Sequence, residues 1–183
     1  MRLIWTSRSK RFEMEALPHL AVMLRMARQL VGTEAADDLV QESFLRAWKY
    51  FDTFDPATNC RAWLFRILRN VWITRWRKIR LEIPLTETQE ELIEPYYDWE
   101  DEFLREELSS EVQCALSELP EEYRMAILLA DVEELAYRDI ANIMDCPIGT
   151  VMSRLNRGRR MLGRLIRAQR ENTSSAKIGR AHV

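Results

Sequence analysis

Apolar residues along this chain recur at intervals of three and four rather than two, and no Asn-Gly hairpin dipeptide occurs. The pattern predicts an all-helical protein. A first helix is expected over residues 17–31, with Leu20, Leu24, Ala27 and Val31 on one side and Gly32 as its stop. Thr33 is placed to cap a second helix over 36–51, where Ala36, Val40, Phe44, Ala47 and Phe51 fall at helical spacing. Asp55-Pro56 marks a break, and a third helix is expected over 60–80. Residues 84–95 read as a linker, rich in Glu and bounded by Pro84 and Pro95. A second helical block starts near residue 101 and is interrupted at Pro120, after which Glu121 and Glu122 suit the positive end of a new helix. Residues 135–144 then read as a short helix, 145–149 as a tight turn, and Thr150 as the N-cap of a long helix. Short helix, turn and long helix form a helix-turn-helix pattern. The fold class expected is all-α: two small helical domains joined by an acidic linker.

Charge changes the picture once it is read by segment. The whole 183-residue chain carries a net charge of only -2, yet residues 61–80 carry +7, residues 81–123 carry -14 and residues 146–183 carry +8. Near-neutrality is a cancellation between blocks. The five glycines are too scattered to write a Gly-x-Gly-x-x-Gly or P-loop phosphate cradle, which removes most nucleotide-cofactor enzymes. The three cysteines, Cys60, Cys114 and Cys146, make neither a disulfide framework nor a four-ligand zinc site. Only His19 and His182 are histidines, and no Ser-His-Asp or His-Glu-x-x-His arrangement occurs, so no catalytic residue, metal or cofactor is expected. No apolar run approaches the roughly 20 residues that span a bilayer, and the amino terminus lacks a secretory core, which reads as a cytoplasmic protein without membrane insertion.

The two basic segments suit different partners. In 61–80, Leu64, Ile67, Leu68, Val71 and Trp72 share one arc, whereas Arg66, Arg69, Arg77 and Arg80 form a separate stripe. Seven cations without one acid repel each other, and a polyanion relieves that repulsion while releasing counterions. Trp63, Trp76 and Asn70 lie outside the apolar arc, where rings and an amide could meet unpaired bases. A basic amphipathic helix equally suits a solvated or membrane-surface position, and its tryptophans a core position. In the last long helix, Val151, Leu155, Gly158, Leu162 and Leu165 cluster on one arc. Ser153, Asn156, Arg157, Arg160 and Arg164 lie opposite, with donors for guanine, adenine and phosphate in a major groove.

Three stretches together carry a resemblance. Asp37-Asp38-Leu39-Val40-Gln41-Glu42-Ser43-Phe44-Leu45-Arg46-Ala47-Trp48, then Arg61-Ala62-Trp63-Leu64-Phe65-Arg66-Ile67, then Gly149-Thr150-Val151-Met152-Ser153-Arg154-Leu155 stand in this order and spacing. The chain resembles a bacterial extracytoplasmic-function (ECF) sigma factor, the compact two-domain class of RNA polymerase sigma subunits. The resemblance implies a sigma-2 domain over 12–82, an acidic linker over 83–104, a sigma-4 domain over 105–170 and a flexible tail over 171–183. It implies that Asp38, Gln41, Glu42, Phe44 and Arg46 dock on the clamp coiled coil of the largest subunit of core RNA polymerase, the flap of the second-largest subunit being a further partner. It assigns the minus-ten element to Trp63, Arg66, Arg69, Asn70 and Arg77, beside a pocket in loop 53–60 for a flipped base. Thr150, Met152, Ser153, Arg154, Asn156, Arg157 and Arg160 match positions that approach the minus-thirty-five duplex. Many members carry Lys or Arg where this chain has Met152, and an aromatic or His where it has Asn156.

The activity implied is promoter recognition and DNA melting for a specific, stress-related regulon, held in check by an anti-sigma factor. The acidic linker would thread toward the RNA exit path, and its charge also suits solubility. The rival reading is a helix-turn-helix regulator that binds duplex DNA without binding core polymerase.

Overall fold

The computed structural model describes residues 2–82 and 110–178, and side chains over 8–75 and 111–170. The linker 83–104, with Tyr96, Tyr97 and Trp99, lies outside the described residues. Among those described there is no strand, and the helices fall into two compact units.

The amino-terminal unit contains α1 (Arg2–Glu15), a 3-10 turn at Leu17–His19, α2 (Leu20–Val31), α3 (Thr33–Tyr50) and α4 (Cys60–Glu82). α3 packs against both α2 and α4. Gly32 ends α2 as expected: its φ is 77°, a left-handed value that suits glycine, and its N–H donates to Arg28 O at 3.0 Å. Thr33 does not cap α3. The tight Gly32 junction leaves no room for a separate cap, so Thr33 is itself the first helical residue and α3 starts three residues early. The buried stripe of α2 is Met23, Met26, Ala27 and Leu30; of the expected Leu20, Leu24, Ala27 and Val31, Ala27 is buried, Leu24 and Val31 are partly covered and Leu20 is exposed. Outside the face that carries Arg25, Arg28 and Gln29 the helix offers more than one apolar stripe, and packing on α3 selected this one. On α3, Ala36, Leu39, Val40, Ser43 and Ala47 face the core. Ser43 is tolerated there because its hydroxyl donates to Leu39 O at 2.7 Å. The apolar arc of α4 is as expected, with Leu64, Leu68, Val71 and Trp72 buried, and Phe65 joins them.

α1 extends the unit ten residues before the expected start at 12, and nothing in the apolar periodicity announced it. Its hold is aromatic. Phe12 meets Trp48 and Phe51 edge-on, with ring centroids 5.2 Å and 5.1 Å away. Arg8 lies over the Trp48 ring at 4.5 Å, donates to Trp48 O at 2.6 Å and pairs with Asp52 at 3.3 Å.

The carboxy-terminal unit contains α5 (Ser110–Ser117), α6 (Glu121–Ile127), a π-helical turn at Leu128–Val132, α7 (Tyr137–Met144) and α8 (Ile148–Ile178). α5 and α6 both pack on α8. Pro120 ends α5 and its carbonyl accepts from Tyr123 and Arg124, both at 3.0 Å, with Glu121 and Glu122 in the first turn of α6. Gly158 lies where α6 and α8 approach: a Cβ there would stand 3.0 Å from Ile127 Cδ1 and 3.1 Å from Tyr123 Cβ.

The turn between α7 and α8 differs from expectation. Asp145 takes the left-handed conformation, with φ of 50°, and Cys146 N–H closes the end of α7 on Ala141 O at 3.1 Å. α8 opens at Ile148, and Pro147 O accepts from Thr150 and Val151, so Thr150 lies inside the first turn instead of capping it. A proline fixes the entry without needing a hydroxyl. The expected loose tail over 171–183 is helical through Ile178, since no proline or glycine interrupts the chain between Gly163 and Gly179.

Candidate nucleic-acid and protein interfaces

On α3, Asp38, Gln41 and Leu45 stand at spacings of three and four and share one outward stripe, Asp38 and Gln41 exposed and Leu45 62% exposed. Glu42 is beside them and pairs with Arg46 at 2.6 Å, an i,i+4 contact within one helix. Phe44 is set apart. It turns about a quarter of the circumference away toward α1, where its ring meets Phe12 edge-on at 6.2 Å. The structure therefore groups Asp38, Gln41, Glu42 and Arg46, moves Phe44 toward the α1 contact, and adds Leu45. A leucine in phase with Asp38 and Gln41, opposite the small Ala36 and Ala47, was the signal available in the sequence.

The loop after α3 is built by local hydrogen bonds. Asp55 Oδ1 accepts from Ala57 N–H at 2.9 Å, Asp55 O accepts from Thr58 N–H at 2.9 Å, and Asn59 caps α4 by accepting from Ala62 N–H at 3.2 Å. Underneath, Phe54 is buried and its ring lies 5.0 Å from Trp63, while Phe51 stacks on Phe54 at 5.9 Å. Trp63 is thus half-buried as the support of the loop, with only part of its ring open to a base. Residues 55–59 are exposed above it.

Along α4, Trp63, Arg66, Asn70 and Arg77 share one face by spacing, with Arg69 beside it. Arg66 and Asn70 are exposed and Arg69 is partly covered, whereas the side chains of Trp76 and Arg77 lie outside those described. Asn70 stands about 15 Å along the axis from Cys60. Arg75 of this segment reaches Asp38 on α3 at 3.5 Å, linking the two candidate surfaces. At the start of α4, burial and the nearby Arg61 charge hold His19 below its ordinary pKa of 6.5. Burial and Glu15 push the Cys60 thiol up to about 11, so it stays protonated and unreactive.

α8 separates its faces as the sequence indicated. Val151, Leu155 and Gly158 are buried, while Met152, Ser153, Asn156, Arg157, Arg160 and Arg164 are exposed. Two arginines are engaged by carboxylates of their own unit, Arg154 half-buried and Arg159 still exposed. Arg154 pairs with Glu122 on α6 at 2.9 Å and reaches Cys146 Sγ at 3.5 Å. Arg159 makes a two-pronged contact with Asp131, Nε to Oδ2 at 3.0 Å and Nη2 to Oδ1 at 2.5 Å, and also bonds Tyr137; these contacts raise its pKa further. Arg154 therefore ties α8 to α6, a role that sequence alone did not indicate. Thr150 is partly covered at the start of the helix. Among the described residues, no cluster of His, Cys, Asp or Glu could hold a metal ion, and no helix is long and apolar enough to cross a membrane.

Comparison with known proteins matches these two units separately. Residues 17–81 match the model of Sigma-70 region 2, and residues 109–162 match that of Sigma-70, region 4. The ECF RNA polymerase sigma factor EcfG of Rhodopseudomonas palustris is 38% identical over 135 residues, covering 74% of this chain and 73% of its own. SigW of Bacillus subtilis, of the same description, is 34% identical over 149 residues, covering 76% and 80%. Among solved structures, the sigma factor RpoE of Bartonella quintana, crystallised with the anti-sigma factor NepR, is 30% identical with a TM-score of 0.69, covering 86% of this chain and 98% of that one.

Proposed function

From the membership of this chain in the ECF sigma factors of the sigma-70 family, we propose a division of labour among its residues. The protein is a sigma factor that binds core RNA polymerase and directs promoter recognition and DNA melting. The exposed α3 stripe, Asp38, Gln41 and Glu42, with Arg46 beside it, docks on the clamp coiled coil of the largest subunit. Leu45 supplies the apolar centre that a polar stripe alone would lack.

Loop 53–60 with the start of α4 receives an unstacked base of the minus-ten element, held on the Phe54–Trp63 support, while Arg66, Arg69 and Arg77 hold phosphates. Unstacking costs a few kcal/mol. No nucleotide is hydrolysed, so these contacts supply it, and the protein itself catalyses nothing. α8 enters the major groove of the minus-thirty-five duplex through Met152, Ser153 and Asn156, with Arg157 and Arg160 on phosphate. Region 4 also meets the flap of the second-largest subunit. The protein acts in the cytoplasm on a stress-related regulon, and a cognate anti-sigma factor restrains it, as NepR binds its Bartonella relative.

The observation that carries this reading is the pairing of an exposed polar stripe on α3 with an outward basic face on α8, in two separately folded units. A DNA-binding regulator needs only the second. Replacing Gln41 and Glu42 together with Ala should weaken association with core polymerase while leaving duplex binding intact. Unchanged association would favour the regulator instead.

A further inference from the structure

The outward face of α8 is unusual in what it presents first. Ile148, Met152, Asn156 and Arg160 stand at successive spacings of four, and the two leading positions are apolar, 45% and 55% exposed. Met152 and Asn156 share an open hollow with Tyr137, Leu155, Arg159 and Arg160. Two cations near these turns are engaged within the unit: Arg154, half-buried, by Glu122 and Cys146, and Arg159, exposed beside the hollow, by Asp131 and Tyr137. Ser153 donates its hydroxyl to Thr150 O at 2.9 Å. The first exposed cation along the helix is Arg157.

Guanine in the major groove is read by a bidentate cation on O6 and N7, and the first two turns of α8, residues 148–155, present no exposed cation. A thioether offers no donor for those acceptors. The one apolar group that base edges show in the major groove is the thymine 5-methyl, and the amide side chain fits the N6 and N7 edge of adenine. Because helix N-terminal residues are the ones that approach base edges, the chemistry at these positions sets the sequence read.

We infer that Met152 and Asn156 are specificity-determining residues for A·T pairs in the promoter duplex, Met152 covering a thymine methyl and Asn156 bonding an adenine edge. The inference rests on α8 being the groove-reading helix. Four helical residues rise about 6 Å and stacked base pairs about 3.4 Å, so the thymine and the adenine lie on the same or adjacent steps, within two base pairs of each other. Arg157 and Arg160 then follow the flanking phosphates and contribute affinity without choosing a base.

The test uses polymerase holoenzyme carrying the full chain and a promoter whose upstream element has been mapped. Each thymine in that element is replaced in turn by deoxyuridine, which lacks only the methyl, and each adenine by 7-deazaadenine, which lacks only N7. One deoxyuridine position should weaken binding by a factor of about four, the worth of one buried methyl, and Met152→Ala should abolish that sensitivity. One 7-deazaadenine position should behave likewise toward Asn156→Ala. Both side chains are exposed, so neither change disturbs the core. Methyl sensitivity that persists in Met152→Ala, or its absence at every thymine, overturns the inference. If holoenzyme still protects the element, only this inference fails; if α8 variants, including Arg157→Glu, leave upstream binding untouched, the groove-reading role fails with it.

Discussion

Arg154 on α8 and Glu122 on α6 are held together at 2.9 Å, so an arginine in the leading turns of the reading helix is directed into its own domain. The pair is only partly screened, with side-chain exposures of 24% and 50%, and contributes about 0.5–1 kcal/mol at most. Under the proposed reading of α8, its larger effect is to withhold one cation from DNA. Arg154→Ala should leave the salt dependence of duplex binding unchanged. In a Glu122→Gln background, where the guanidinium can reach phosphate, the same change should lower the salt slope by about one. A drop of that size in the otherwise native protein would show that Arg154 already contacts DNA.

Two of the glycines in α8, Gly158 and Gly163, should respond oppositely to alanine. At Gly158 a Cβ meets Ile127 Cδ1 and Tyr123 Cβ at 3.0 Å and 3.1 Å. The isoleucine tip can move, but the tyrosine Cβ is fixed to backbone, so Gly158→Ala should cost about 1–2 kcal/mol through overpacking. At Gly163 the nearest atom is Arg167 Nη2 at 3.8 Å, and Gly163→Ala should gain about 0.5–1 kcal/mol from helix propensity. Thermal unfolding of the two variants distinguishes the signs.

Much of this was readable in the chain. Gly32 between two apolar runs announced the α2–α3 junction, and the arcs of α4 and α8 followed from spacing. The parts that were not readable depend on tertiary partners. α1 carries little periodicity and is held by Phe12 and Arg8 on residues about 40 positions away. The choice of Met23 and Met26 over Leu20 and Leu24 needed the α3 surface to decide it. Asp145 takes the left-handed turn conformation, which aspartate tolerates, so no glycine marked that position within the expected turn. At the candidate sites, exposure along α8 was legible, whereas the diversion of Arg154 and Arg159 depends on Glu122 and Asp131, 32 and 28 residues earlier.

His19 makes stability depend on pH in a defined direction. Its folded-state pKa lies below the ordinary 6.5 because burial and Arg61 oppose the imidazolium. The unfolded chain therefore binds a proton more readily as pH falls below 6.5, and the folded state loses stability over that range. The urea midpoint of the amino-terminal unit should fall between about pH 7.5 and about pH 5.5, and His19→Gln should flatten part of that fall. An identical slope in the variant would remove His19 from the account.

Charge reversal should separate the two nucleic-acid faces. Arg157→Glu should weaken upstream duplex binding and lower its salt slope by at least about one. Arg66→Glu should leave that binding intact and slow formation of the open complex, read by permanganate reactivity of unpaired thymines. Equal effects of both changes on both steps would contradict the division between α8 and α4.

The most direct measurement is transcription itself: core polymerase, this protein and a genomic promoter library, with every transcript start mapped. The account holds that starts will appear only when the protein is present, and that they will share two upstream elements at constant separation. No protein-dependent transcript, together with no co-purification with core polymerase, would contradict it.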